Sequence, residues 1–143
     1  MKEIYYLNRD ALPNMPIPHD CVIRTIRLDG QYMEFLFEDD ISDHDSIQYQ
    51  RPEAKSLIIR YHFAYDAGDY SIYKWVTPGR PFRKEGHYQR LDRSELVKLT
   101  EGKRPLEYLS HNVGYCSIIL KLFSGVPIIL DAEIDSVEYE WIC

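Results

Sequence analysis

Apolar residues recur in this chain mostly at every second position, the period of a strand with one buried face. The clearest case is 31–38, where Met33, Phe35 and Phe37 share one side and Tyr32, Glu34 and Glu38 the other. Cys21–Leu28 precedes it across Asp29-Gly30, a dipeptide suited to the positive φ angles of a two-residue type I′ turn, so 21–38 reads as a β-hairpin. Leu57, Ile59, Tyr61 and Phe63 alternate in the same way, and Tyr70–Val76 follows the turn cluster Asp66–Asp69 as the expected partner strand. Short strands are expected at 3–7 and 87–91, and a last hairpin at 116–141 turns on Ser124-Gly125.

Within 127–141 the alternation slips. Ala132 and Ile134 share one phase and Val137, Tyr139 and Trp141 the other, so a β-bulge near Asp135-Ser136 is expected to restore one core face. Helical patterning is confined to 92–101, with Asp92 or Ser94 as the cap and Gly102 as the stop; a further helical turn is compatible with 106–110. Three prolines within 13–18 make an irregular entry segment. The expected fold is mainly β: an antiparallel β-sandwich or partly open barrel with one short helix. Its expected core comprises Val22, Ile26, Met33, Phe35, Phe37, Leu57, Ile59, Tyr61, Phe63, Ile118, Leu120, Leu122, Ile129 and Trp141.

Composition agrees. At 143 residues, one domain spanning 1–143 is expected, long enough to bury a core of its own. The 12 Tyr, 15 Ile and 6 Val against 5 Ala favour a pleated surface over a helical one. No apolar leader or membrane-length run is present, so a cytoplasmic, membrane-free protein is expected. Cys21, Cys116 and Cys143 have no close spacing and read as reduced thiols in or near the core.

Charge is distributed unevenly. The formal net charge is −6, the wrong sign for general nucleic-acid binding, and no nucleic-acid partner is expected. Residues 29–54 hold eight acids and one base, and 74–104 hold nine bases and four acids. Residues 131–140 hold five acids and no base. Lys74, Arg80, Arg83, Lys84, Arg90 and Arg93, with Phe82 and Tyr88 among them, read as a solvated basic loop. If 135–136 is a bulge, Asp131, Glu133, Asp135, Glu138 and Glu140 all face solvent from one strand. Such a row is either protection of an edge strand or a docking face for a basic partner. Residues 38–45 hold five carboxylates in eight positions, but Gln48 and Ala54 occupy the places where an EF-hand needs Gly and Glu, so a surface loop is read instead of a calcium site.

Two His-Asp pairs, His19-Asp20 and His44-Asp45, raise metal-dependent hydrolysis. Their Pro-rich and strand-like surroundings supply no helix to present further ligands, so no metal, no cofactor and no catalytic residue is assigned. His19 and Asp20 would be the acid–base candidates if the chain were an enzyme.

The run His19–Ile26, continued by Phe35–Glu38, resembles small bacterial β-sheet proteins of the polymorphic-toxin immunity-factor type, which open with His-Asp and enter a turned hairpin. Ile134–Trp141, alternating apolar and acidic residues, resembles their closing strand. The likeness covers about 30 residues and carries no catalytic residues across. It implies inhibition by binding, with an acidic face meeting a basic partner such as a toxin. The expected function is therefore a non-catalytic binding protein. The expected partner-binding residues are Asp131, Glu133, Asp135, Glu138 and Glu140, joined by Asp39, Asp40, Asp43 and Asp45 if the two segments fold together. A small-molecule, glycan or peptide-binding β module, drawing on the aromatic side chains, is the alternative, and a hydrolase using His19 and Asp20 a lesser one. Homodimerisation through an exposed strand remains open.

Overall fold

In the computed structural model, residues 1–65, 68–77 and 86–143 are described. Asp66-Ala67 and the middle of the basic loop, with Arg80, Phe82, Arg83 and Lys84, lie outside the described residues. The strands are β1 (Lys2–Tyr6), β2 (Val22–Leu28), β3 (Tyr32–Phe37), β4 (Ser56–Phe63), β5 (Tyr70–Val76), β6 (His87–Leu91), β7 (Leu106–Gly114), β8 (Ser117–Phe123) and β9 (Pro127–Ile142). Two short helices, α1 (Asp45–Gln48) and α2 (Arg93–Val97), join them, and α2 runs into a 3-10 turn at Lys98–Glu101. The mainly antiparallel β architecture with a short helix in 92–101 is the one observed, as a single nine-stranded sheet containing a ring of strands.

The ring runs β4-β3-β2-β7-β8-β9 and closes because β9 also pairs with β4. The sixteen residues of β9 make this possible. Its first half lies between β8 and β5, its second between β1 and β4. The expected slip in 127–141 is present: His62 pairs with Ser136 and Phe63 with Ile134, leaving Asp135 as the extra residue. Ile134 and Val137 both enter the core as a result.

Several expectations are corrected. Val22 and Ile129 are half-buried, while Ile23 and Ile128 are buried in their place. A register shift between Ile23 and Thr25 moves the core phase of β2 by one residue, and Ile129 precedes the β9 bulge, so it keeps the opposite phase from Trp141. The Asp29-Gly30 turn contains no positive φ; the Asp29 carboxylate instead accepts the Gln31 N–H at 2.9 Å, closing the loop from its side chain. Residues 106–110 belong to β7, where inward Leu106 is matched by Ile23 of β2 and inward Tyr108 by Leu122 of β8. β5 is not the hairpin partner of β4, because both lie against β9. Cys143 is exposed, whereas Cys21 is buried.

The capping of α2 follows the sequence. Asp92 accepts the Glu95 N–H at 2.8 Å, and the Glu95 carboxylate accepts the Asp92 N–H at 3.1 Å, a reciprocal capping box. β2 and β7 pair only at Val22 and Ile23, and α2 with the 3-10 turn packs against β2. No helix among the described residues is long and apolar enough to cross a membrane.

Candidate functional site

Because the strand bulges at Asp135, the five carboxylates of β9 lie in the phase opposite its core residues. β9 has a strand on each side and is no edge, so edge protection does not account for the row. The two ends of the row have different electrostatics. In its second half the register aligns Arg27, Glu34, Arg60 and Glu138 across β2, β3, β4 and β9, alternating in sign. Arg60 donates to Glu34 at 2.9 Å, Glu138 at 2.6 Å and Glu140 at 2.8 Å. Burial of Arg60 favours its neutral form, but the three carboxylates outweigh this and hold it charged. The same contact from Arg60 holds the Glu140 carboxyl below its usual range. Glu138 and Glu140 are thus engaged within the molecule.

In the first half, Asp131 and Glu133 are exposed. Ser71 of β5 and Ile119 of β8 flank Asp131, and Glu133 lies opposite Ser117. The Glu133 N–H donates to the Asp69 carbonyl at 2.9 Å, which draws exposed Asp69 alongside. Asp69, Ser71, Asp131 and Glu133 surround a cleft of about 110 Å³. None of the three acids forms an ion pair among the described residues. Half-buried Asp135 uses its carbonyl to accept the Leu7 N–H at 2.8 Å.

The 38–45 segment folds elsewhere. The Ser56 hydroxyl donates to the Glu38 carbonyl at 2.7 Å, and the Lys55 N–H donates to the Ile142 carbonyl at 2.7 Å, placing this loop beside the C-terminal end of β9. Nine strand residues, about 30 Å, separate that end from Glu133, so the two acidic segments do not form one face with Asp131 and Glu133. Within the loop, Asp39 pairs with Arg24, and Asp40 accepts the Ser42 hydroxyl and N–H, which lowers its pKa. Asp43 and Asp45 are exposed, with Asp45 opening α1. No three His, Cys, Asp or Glu side chains among the described residues are grouped to hold a metal ion.

His19 and Asp20 form an exposed turn alongside the edge of β7. The His19 ring bonds the Leu109 carbonyl through Nδ1 at 2.8 Å, and its Nε2 lies 3.3 Å from the Asp20 carboxylate. Asp20 adopts φ 65°, a left-handed conformation that Asp tolerates, and its N–H donates to the Tyr108 carbonyl at 2.8 Å. Neither residue lines the clefts beside α1, β5, β6 or β7.

The histidine with an unusual environment is His111, which the sequence presents as an isolated residue. The β7–β8 register shifts between Tyr108 and Ser110, and this bulge at Leu109 turns His111 inward. Burial lowers its pKa to about 4, so the ring is neutral at pH 7. Its Nδ1 accordingly accepts the Tyr108 hydroxyl at 2.5 Å, and Tyr108 in turn accepts the Tyr61 hydroxyl at 3.3 Å. Beside it, the Tyr139 hydroxyl donates to the Pro16 carbonyl at 2.6 Å and holds the proline-rich segment down. These hydrogen bonds satisfy the buried Tyr61, Tyr108 and Tyr139 hydroxyls and the His111 ring. No single pattern in the sequence marks this network, because its members meet only through the bulge. No family model, curated protein or solved structure matches this chain.

Proposed function

We propose that this chain is a binding protein that captures a cationic protein without turning it over, in the manner of an immunity factor. The observation carrying the reading is the group Asp69, Asp131 and Glu133: three exposed carboxylates on and beside the central strand, with no cation paired to them among the described residues. A rigid strand presents them with little conformational entropy left to lose, and an uncompensated negative field accelerates encounter with a positive surface. Glu138 and Glu140 contribute less, because Arg60 already holds them. Support against the hydrolase reading comes from His19, whose Nδ1 is tied to a backbone carbonyl outside any of those clefts.

The test is neutralisation. The open reading frame adjacent to this one is expressed in a heterologous host alone, with the wild type, or with an Asp131→Lys, Glu133→Lys variant of matched thermal stability. The expected result is toxicity relieved by the wild type, and association with the variant weaker by about tenfold or more at low salt, the difference shrinking as salt rises. A harmless neighbour, or equal relief by wild type and variant, sinks the proposal.

A further inference from the structure

β6 is an open edge. Its register with β5 runs unbroken from Val76–His87 to Ile72–Leu91, and no strand pairs with its far side among the described residues. Residues His87–Arg90 are all exposed. Proteins commonly blunt such an edge with proline, a bulge or charge; His87–Leu91 has neither proline nor bulge, and its one formally charged residue is Arg90. Beside the edge, the core-facing side of the hairpin extends past the core as a groove of about 520 Å³ beneath the 3-10 turn. Val76, Leu91 and Leu99 give it apolar walls, while Lys74 and Lys98 bring two ammonium groups without an ion pair among the described residues. Glu95 also lines it, with its carboxylate engaged in the α2 capping box. Lys74 occupies the same phase as buried Ile72, a position where an apolar side chain would extend the core.

We propose that β6 receives an extended acidic segment of a partner protein as an added strand, with one Asp or Glu side chain entering the groove between Lys74 and Lys98. An unpaired strand edge offers alternating N–H and C=O groups that a polypeptide backbone matches and a nucleic-acid backbone does not, and an adjacent groove reads alternate side chains. The described residues of 74–104, with six bases and three acids, favour a negative segment. This site is separate from the acidic cleft: Ser71, which pairs with Asp131, and Lys74 point to opposite faces of β5.

The probe is a capped peptide alternating Glu with Val, titrated into the full-length ¹⁵N-labelled protein at low salt. Amide shifts concentrated at 87–91 and slowed exchange at alternate β6 amides are expected. Lys74→Glu and, separately, the exposed Lys98→Glu should each weaken binding by about tenfold, while the same charge change at exposed Lys121 of β8, Lys121→Glu, leaves it unchanged. Lys98 lies on the surface, so its variant keeps the result readable if Lys74→Glu fails to fold. The proposal is overturned by the absence of shifts up to about 1 mM peptide, or by shifts centred on another unpaired edge, β1 or the open stretch between β2 and β7. Equal binding of a Lys-Val peptide, of a proline-interrupted peptide, or of an oligothymidylate overturns it as well.

Discussion

At the scale of single residues, Arg60 and His111 illustrate opposite solutions for polar groups placed in a packed sheet. Arg60 retains its charge because three carboxylates converge on it, and it in turn offsets their mutual repulsion. Arg60→Met should lower stability by about 2–3 kcal/mol, less than for a fully buried pair because the cluster is partly solvated. Urea denaturation measures this, and adding Glu138→Gln should recover part of the loss. His111 instead remains neutral. Its folded pKa near 4 lies below the ordinary 6.5, so the unfolded chain takes up the proton first as pH falls. The stability tied to this group is complete above pH 6.5 and declines by about 3 kcal/mol as pH falls to 4. His111→Gln should flatten that part of the stability–pH profile, and a profile unchanged by the substitution would contradict the assignment.

At the scale of elements, the bulge in β9 decides which side chains reach the core. Deleting Asp135 would bring Val137, Tyr139 and Trp141 to the outer face and should abolish the cooperative thermal transition. Asp135→Ala keeps the residue count and should change stability by less than about 1 kcal/mol, a contrast readable by calorimetry. The β8–β9 turn makes a second demand. Gly125 has φ 70°, and a Cβ there would lie 2.4 Å from Arg104 Cδ. Gly125→Ala should therefore destabilise the protein by about 1–2 kcal/mol through backbone strain, with Arg104 able to swing aside.

At the scale of the molecule, closure of the ring joins distant parts of the sequence. β1 and β4 both wait for the end of β9, and the Met1 amine donates to the Trp141 carbonyl at 3.1 Å. Loop-closure entropy must be overcome before those pairings contribute, so refolding should take milliseconds to seconds, as in all-β domains of similar topology. Stopped-flow tryptophan fluorescence measures it, and a microsecond phase carrying the full amplitude would contradict the topology. The charge pattern also acts at this scale. Carboxylates face outward from the first half of β9, and Lys74 and Arg90 lie on the neighbouring β5–β6 pair, so side chains of both signs are presented close together.

Local signals determined much of this architecture. Period-two alternation marked β3 and β4, the clash of phases in 127–141 located the β9 bulge, and Asp92 or Ser94 marked the start of α2, because each depends on neighbours in sequence. The acidic row was equally legible as a row. What it faces was not. That Arg60 neutralises Glu138 and Glu140, that β9 lies inside the sheet, and that the 38–45 loop folds at the far end of β9 from Glu133 all follow from pairing between strands far apart in the chain. The shifted phase of β2 and the inward turn of His111 have the same origin: a bulge is a property of two paired strands, and one strand's pattern does not contain its partner.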